Sequence, residues 1–179
     1  PLHLEEIAPR GRLILSSEDL ERAFDIPPWR GPAMLNVKGK GSFELMTKLA
    51  SPSGLVSNTN CVRKDQVHNI EGADSPNMSY IRFINIGTSA LSDIRGTLYD
   101  GNGEVVGKEN QVLVSSLGPK QHVWVNRDNL VDIVGDDWNG EAMLEIDSPP
   151  ETLRLLNLNY INSETFFNFS CYEKAKRLR

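Results

Sequence analysis

Residues 1–64 of this chain overlie residues 111–174 at a spacing of 110, and this internal repeat constrains the fold more than any other feature. Pro9 falls on Pro119, Leu20 on Leu130, Leu45 on Leu155, Asn58 on Asn168, Cys61 on Cys171 and Lys64 on Lys174. A one-residue slip in the middle aligns Trp29-Arg30-Gly31 with Trp138-Asn139-Gly140, and Ala33-Met34-Leu35 with Ala142-Met143-Leu144. Trp, Cys and Met are rare, so their recurrence in one order is not a coincidence of composition.

Between these anchors the apolar pattern also recurs. Leu2 and Leu4 match Val112 and Val114, and Leu13-Ile14-Leu15 matches Val123-Trp124-Val125. A short helix follows in each copy. Ser16-Ser17-Glu18-Asp19 and Asn126-Arg127-Asp128-Asn129 supply a capping side chain and first-turn acids. Leu20, Ala23 and Phe24 then share one helical face, as do Leu130, Ile133 and Val134, ready to plug the end of a sheet core.

Residues 65–110 have no counterpart upstream. They read as strands over Tyr80–Ile86 and Leu91–Tyr99, a tight turn at Asp100-Gly101-Asn102-Gly103, and a short strand through Val105-Val106. The stretch His68–Asn77 reads as a polar loop. Further strands are expected near 2–5, 12–15, 33–37, 42–49 and 55–60, and near 112–115, 122–125, 142–146, 153–160 and 165–171. Many short strands, polar turns and one short helix per unit argue for an all-β fold: antiparallel immunoglobulin-like β-sandwich repeats of about 110 residues. The domain reading is then 1–64 as the second part of an incomplete unit, 65–174 as a complete unit, and 175–179 as a basic tail.

Composition narrows the function classes. With 19 Lys+Arg against 24 Asp+Glu, the net charge is −5, and no basic stripe recommends nucleic acid as a partner. No apolar run approaches the length of a membrane span. His3, His68 and His122 are scattered, and neither a metal-spacing motif, a nucleophile elbow nor a phosphate loop is present. Asp100-Gly101-Asn102-Gly103-Glu104 superficially resembles a calcium loop, but a hairpin turn accounts for it. Catalytic, cofactor and metal residues are therefore read as none. The chain opens on Pro1 rather than Met, which reads as a processed product or a piece of something longer.

The runs Tyr80-Ile81-Arg82-Phe83-Ile84-Asn85 and Arg95-Gly96-Thr97-Leu98-Tyr99-Asp100 resemble the opening of a tandem immunoglobulin-like β-sandwich repeat of secreted bacterial proteins. The later run from Leu13 through Trp29-Arg30-Gly31-Pro32-Ala33-Met34-Leu35, with Ser57-Asn58 near its end, resembles the same repeat. The resemblance spans nearly the whole chain, but its motifs are structural and carry no catalytic residues. It implies an extracellular, cell-surface or periplasmic location. In such a place Cys61 and Cys171 would tend to pair, clasping the two ends of the complete unit; two buried free thiols are the alternative.

Four aromatics stand out as interface or ligand candidates: Trp29, Trp138, Trp124 and Phe167. Trp29 and Trp138 invite a sugar-stacking role, although their repeated Trp-x-Gly context favours a core plug at a helix-to-strand corner. Trp124 alternates with Val123 and Val125 and suits a core or an interface. Phe166, Phe167 and Phe169 place aromatics on both faces of the last strand, so something is expected to cover the outer one.

The part-count sharpens the question. Two 64-residue second parts share one 46-residue first part, so one second part lacks its strands. Absent upstream residues, packing of the half-unit on the complete one, or strands from another polypeptide would each answer the shortage. The functional expectation is a non-enzymatic exported structural or interaction subunit of a cell-surface or extracellular assembly, with other protein subunits as partners. The alternative is a carbohydrate-binding accessory module.

Overall fold

The computed structural model describes residues 7, 13–31, 33–40, 47–50, 56–58, 65–161 and 165–168. The chain divides into two compact units, residues 1–40 and residues 41–179.

In the larger unit, strands β3 (Gln66–Glu71), β4 (Met78–Asn85), β5 (Leu91–Tyr99), β6 (Gln111–Leu117) and β7 (His122–Asn126) lead into helix α2 (Arg127–Val134). Strands β8 (Glu141–Ile146), β9 (Leu153–Ile161) and β10 (Thr165–Asn168) complete two four-stranded antiparallel sheets. Their orders are β10-β9-β4-β7 and β3-β8-β5-β6. The core draws on both: Ile81, Phe83 and Leu155 from the first, Ile94, Leu98 and Leu144 from the second. The two sheets thus pack face to face as a β-sandwich, each large buried side chain contributing about 1.5–3 kcal/mol.

Several elements form for local reasons that the sequence displays. Strand β4 alternates strictly, with Ser79, Ile81, Phe83 and Asn85 inward. Helix α2 opens with a reciprocal capping box between Asn126 and Asn129, and Gly135 ends it in the left-handed conformation, at φ 76°. Its Leu130 and Val134 enter the sandwich core. The turn after β5 is closed by the Asp100 carboxylate, which accepts the backbone N–H of Asn102 and Glu104 at 2.9 Å each.

Residues 66–71 correct the expectation of a loop from His68 to Asn77. They form β3, pairing with β8. A register shift lies between Val67 and Ile70, and Asn69 takes φ 59°. The bulge moves the side-chain phase by one residue, so Val67 and Ile70 both reach the core from positions three apart. Alternation is thereby hidden in the sequence.

A third sheet, of two strands, pairs β1 (Lys48–Ala50) with β2 (Val56–Asn58), and β2 lies beside β10.

In the smaller unit, helix α1 (Ser17–Phe24) has a capping box between Ser16 and Asp19 and a left-handed C-cap at Asp25, φ 51°. It buries none of its side chains, and Phe24 is 44% exposed. The expected core plug is not made. Nor do residues 13–15 or 33–37 form strands, although their apolar patterns favour them. Ile14 is 75% exposed and Leu35 46%. A strand exists only when a partner takes its backbone hydrogen bonds, and neither segment has one among the described residues.

Candidate interaction surface

Registration of the β10-β9-β4-β7 sheet places one set of residues on its outer face. Arg82 pairs with Leu156 on one side and with Trp124 on the other. Tyr80 pairs with Leu158, and Tyr160 with Phe166. Because Ile81, Phe83, Val125 and Leu155 point into the core, their neighbours Arg82, Trp124 and Leu156 point away from it.

An ordinary sandwich presents polar side chains on such a face. Strand β9 reverses the rule toward its end. Its inward positions carry Asn157 and Asn159, 2% and 0% exposed, while its outward positions carry Leu156, Leu158 and Tyr160. Leu156 and Leu158 are only 2% and 5% exposed, yet neither belongs to the core between the sheets. Leu156 and Leu158 are therefore covered within the chain but outside the core between the sheets, and the half-buried Tyr80, Trp124 and Tyr160 are the aromatic part of this face that still reaches solvent.

The aromatics on this face are organised. The Tyr160 and Phe166 rings stack with centroids 4.7 Å apart. The Arg82 guanidinium lies over the Trp124 ring, 5.5 Å from its centroid. Burial pushes the Arg82 pKa down, and its Nε is buried without a hydrogen-bond partner among the described residues. A cation held over an aromatic in a half-buried apolar setting is the composition of a protein-contacting surface.

The other candidate residues separate. Trp138 is in the core, 5% exposed, with its indole N–H donating to the Ile70 carbonyl at 3.3 Å. Its ring is not offered to a ligand. Asp136 and Asp137, adjacent to it, cap successive backbone N–H groups, those of Asp137 and Trp138. Trp29 is half-buried in the smaller unit, its backbone N–H donating to Glu21 Oε1 at 3.1 Å. Phe167 is 49% exposed on the opposite face of β10 from Phe166. Cys61 and Cys171 lie outside the described residues. The residues that sequence reasoning passed over are Leu156 and Leu158; their alternation with Leu155 and Asn157 was the available signal.

Among the described residues, no three His, Cys, Asp or Glu side chains gather as metal ligands, and no helix is long and apolar enough to cross a membrane. Comparison of the chain with protein-family models, with curated proteins and with solved structures finds no match.

Proposed function

We propose that this chain is a non-enzymatic, exported structural or interaction subunit of a cell-surface or extracellular assembly, built from β-sandwich repeats. The observation that carries this reading is the apolar outer face of the β10-β9-β4-β7 sheet. Trp124 and Tyr160 on that face are half-buried and have no role in the sandwich's own core, while Leu156 and Leu158 beside them are already covered within the chain; burying the two aromatics further against protein is the use their chemistry suits.

The repeat reading draws support from two local geometries. Helices α1 and α2 are both eight residues long, begin with a capping box and end left-handed, at positions 110 apart. The two hairpins also share a register at that spacing: Lys48 pairs with Asn58 as Leu158 pairs with Asn168, and Ala50 with Val56 as Tyr160 with Phe166. The resemblance to secreted bacterial repeats supports the extracellular location, where a Cys61–Cys171 bond would be stable. Sugar stacking finds less support, since the Trp138 ring is buried and Arg82 lies over the Trp124 ring.

A photo-crosslinking residue at position 124, used in the producing cell, tests the reading. Protein adducts from position 124, and none from exposed position 104 in the turn after β5, are expected. Adducts only to glycan, or no adducts from either position, would count against it.

A further inference from the structure

We propose that the cavity between strand β5 and the β8–β9 turn is a binding site for a neutral sugar. This goes beyond the interaction reading above and lies on the other sheet, β3-β8-β5-β6. The cavity has a volume of about 330 Å³, at the lower end of the range for small-molecule sites, roughly 300–1,000 Å³. Ser92, Asp93 and Arg95 of β5 line it, with Asn110 ahead of β6 and Asp147 and Ser148 after β8.

Arg95 fixes the walls. Its backbone carbonyl accepts the Asp147 N–H at 2.9 Å, and its guanidinium donates to the Asn110 carbonyl at 3.0 Å. The Asn110 N–H donates to the buried Thr97 hydroxyl at 3.0 Å, so β5 side chains hold the Asn110 backbone at both its polar groups. Asp93, Asn110 and Ser148 take φ of 47°, 55° and 48°, and the pairing of β5 with β6 shifts register between Ile94 and Arg95. Alternation is broken there, and the consecutive Ser92 and Asp93 are both exposed and both line the cavity.

The chemistry of these groups selects the ligand. Arg95 shares the cavity with two carboxylates, yet closes an ion pair with neither among the described residues. An anion would meet Asp93 and Asp147, a metal ion would sit beside the guanidinium, and an apolar ligand would strand every polar group. A zwitterion gains little where all three charged side chains are exposed. A sugar answers both kinds of group without carrying charge. Adjacent hydroxyls donate to a carboxylate as a pair, and a hydroxyl or ring oxygen accepts from Arg95. Pro150 adds an apolar wall for the C–H face of the ring.

NMR titration of the whole chain with methyl α-glucoside, methyl α-mannoside and methyl β-galactoside tests the site. At least one should shift the backbone amides of residues 92–95, 110 and 147–148, saturating in the millimolar range. Asp93→Ala and Asp147→Ala should each weaken that binding by about fivefold or more, and Asp147→Asn, which keeps one acceptor, by less. Thermal melting should be unchanged in all three variants, because both carboxylates are exposed. No shift from any of the glycosides, shifts confined to the surroundings of Trp124 and Tyr160, or equal shifts from cyclohexanol, which has no second hydroxyl, would overturn the inference. So would full affinity in both alanine variants. Crosslinking from position 124 reads the other sheet, so the two proposals fail separately.

Discussion

The side-chain amide of Asn159, on β9, donates to the backbone carbonyl of Asn69, on β3, at 2.7 Å. This bond joins the two sheets at the bulge where Asn69 holds a positive φ. The carbonyl also accepts from the Ser79 hydroxyl at 3.5 Å, and the same hydroxyl accepts the Glu71 N–H at 2.9 Å. Asn159 is thus an inward polar residue that serves a backbone irregularity rather than a ligand. Asn159→Ala should lower stability by about 1–3 kcal/mol, measured by urea denaturation, because a buried carbonyl loses its shorter partner and a small void opens. Asn69→Gly should be tolerated, while Asn69→Val should cost about 1–3 kcal/mol through left-handed strain.

Asn85 clamps the far end of the sandwich. Its Nδ2 lies 2.7, 3.1 and 3.0 Å from the carbonyls of Ser89, Leu117 and Gly118, and its Oδ1 accepts the Gly87 N–H at 2.9 Å. Asn85→Asp keeps the shape but turns a donor toward three carbonyls into a carboxylate. At neutral pH the loss should be about 3–5 kcal/mol. The introduced group's folded pKa would be raised, so the variant should recover stability as pH falls, read from denaturation midpoints at pH 7 and pH 4.

Two glycines with the same positive φ should respond differently to alanine. Gly107 and Gly140 both sit at φ 73°. A Cβ on Gly107 would overlap the Val134 carbonyl at the end of α2, whereas one on Gly140 would meet nothing within 4 Å. Gly140→Ala should cost about 1 kcal/mol and Gly107→Ala several times more, with loss of α2 packing seen by near-ultraviolet circular dichroism.

Arg82 and Trp124 should separate stability from association. Arg82→Met removes a half-buried cation whose Nε has no hydrogen-bond partner among the described residues, so the fold should be unchanged or slightly firmer in thermal melts. Trp124→Ala should leave the core intact while reducing capture of protein by the outer face. Equal unfolding by both variants would place Trp124 in the fold's foundation instead.

The Asp100 carboxyl is held below the usual carboxylate range, first by the Glu104 backbone N–H and then by Asn102 and Gly103. A carboxylate with a lowered folded pKa stabilises the turn above its unfolded pKa, and that contribution disappears as pH falls through the folded one. The turn should therefore stay intact at mildly acidic pH and loosen only in stronger acid. An NMR titration of Asp100, compared with a short peptide of the same turn, checks the sign.

Local elements were readable from residues alone because their causes are local. A capping side chain three residues from its backbone partner specifies α1 at Ser16 and α2 at Asn126, wherever the helix then packs. Asp-Gly and Asn-Gly specify the turn after β5 by the same token. Strand β3 was not readable, because the bulge at Asn69 shifts alternation by one residue. The outer face was only partly readable: with Leu155, Leu156 and Leu158 in succession, apolar residues point both ways, and periodicity cannot say which way is in.

What the amino-acid order determined unaided was every feature closed within a few residues, together with the 110-residue recurrence. Which of those features became buried was decided by tertiary structure. Leu130 and Leu144 vanish into a core while Ile14 and Leu35 stay in solvent, although the surrounding patterns match. The physical reason is that a helix completes most of its hydrogen bonds within itself. A strand's bonds and a core's contacts need a second segment: β4 supplies it for β7, and β3 and β5 for β8, whereas residues 13–15 and 33–37 have no such partner among the described residues.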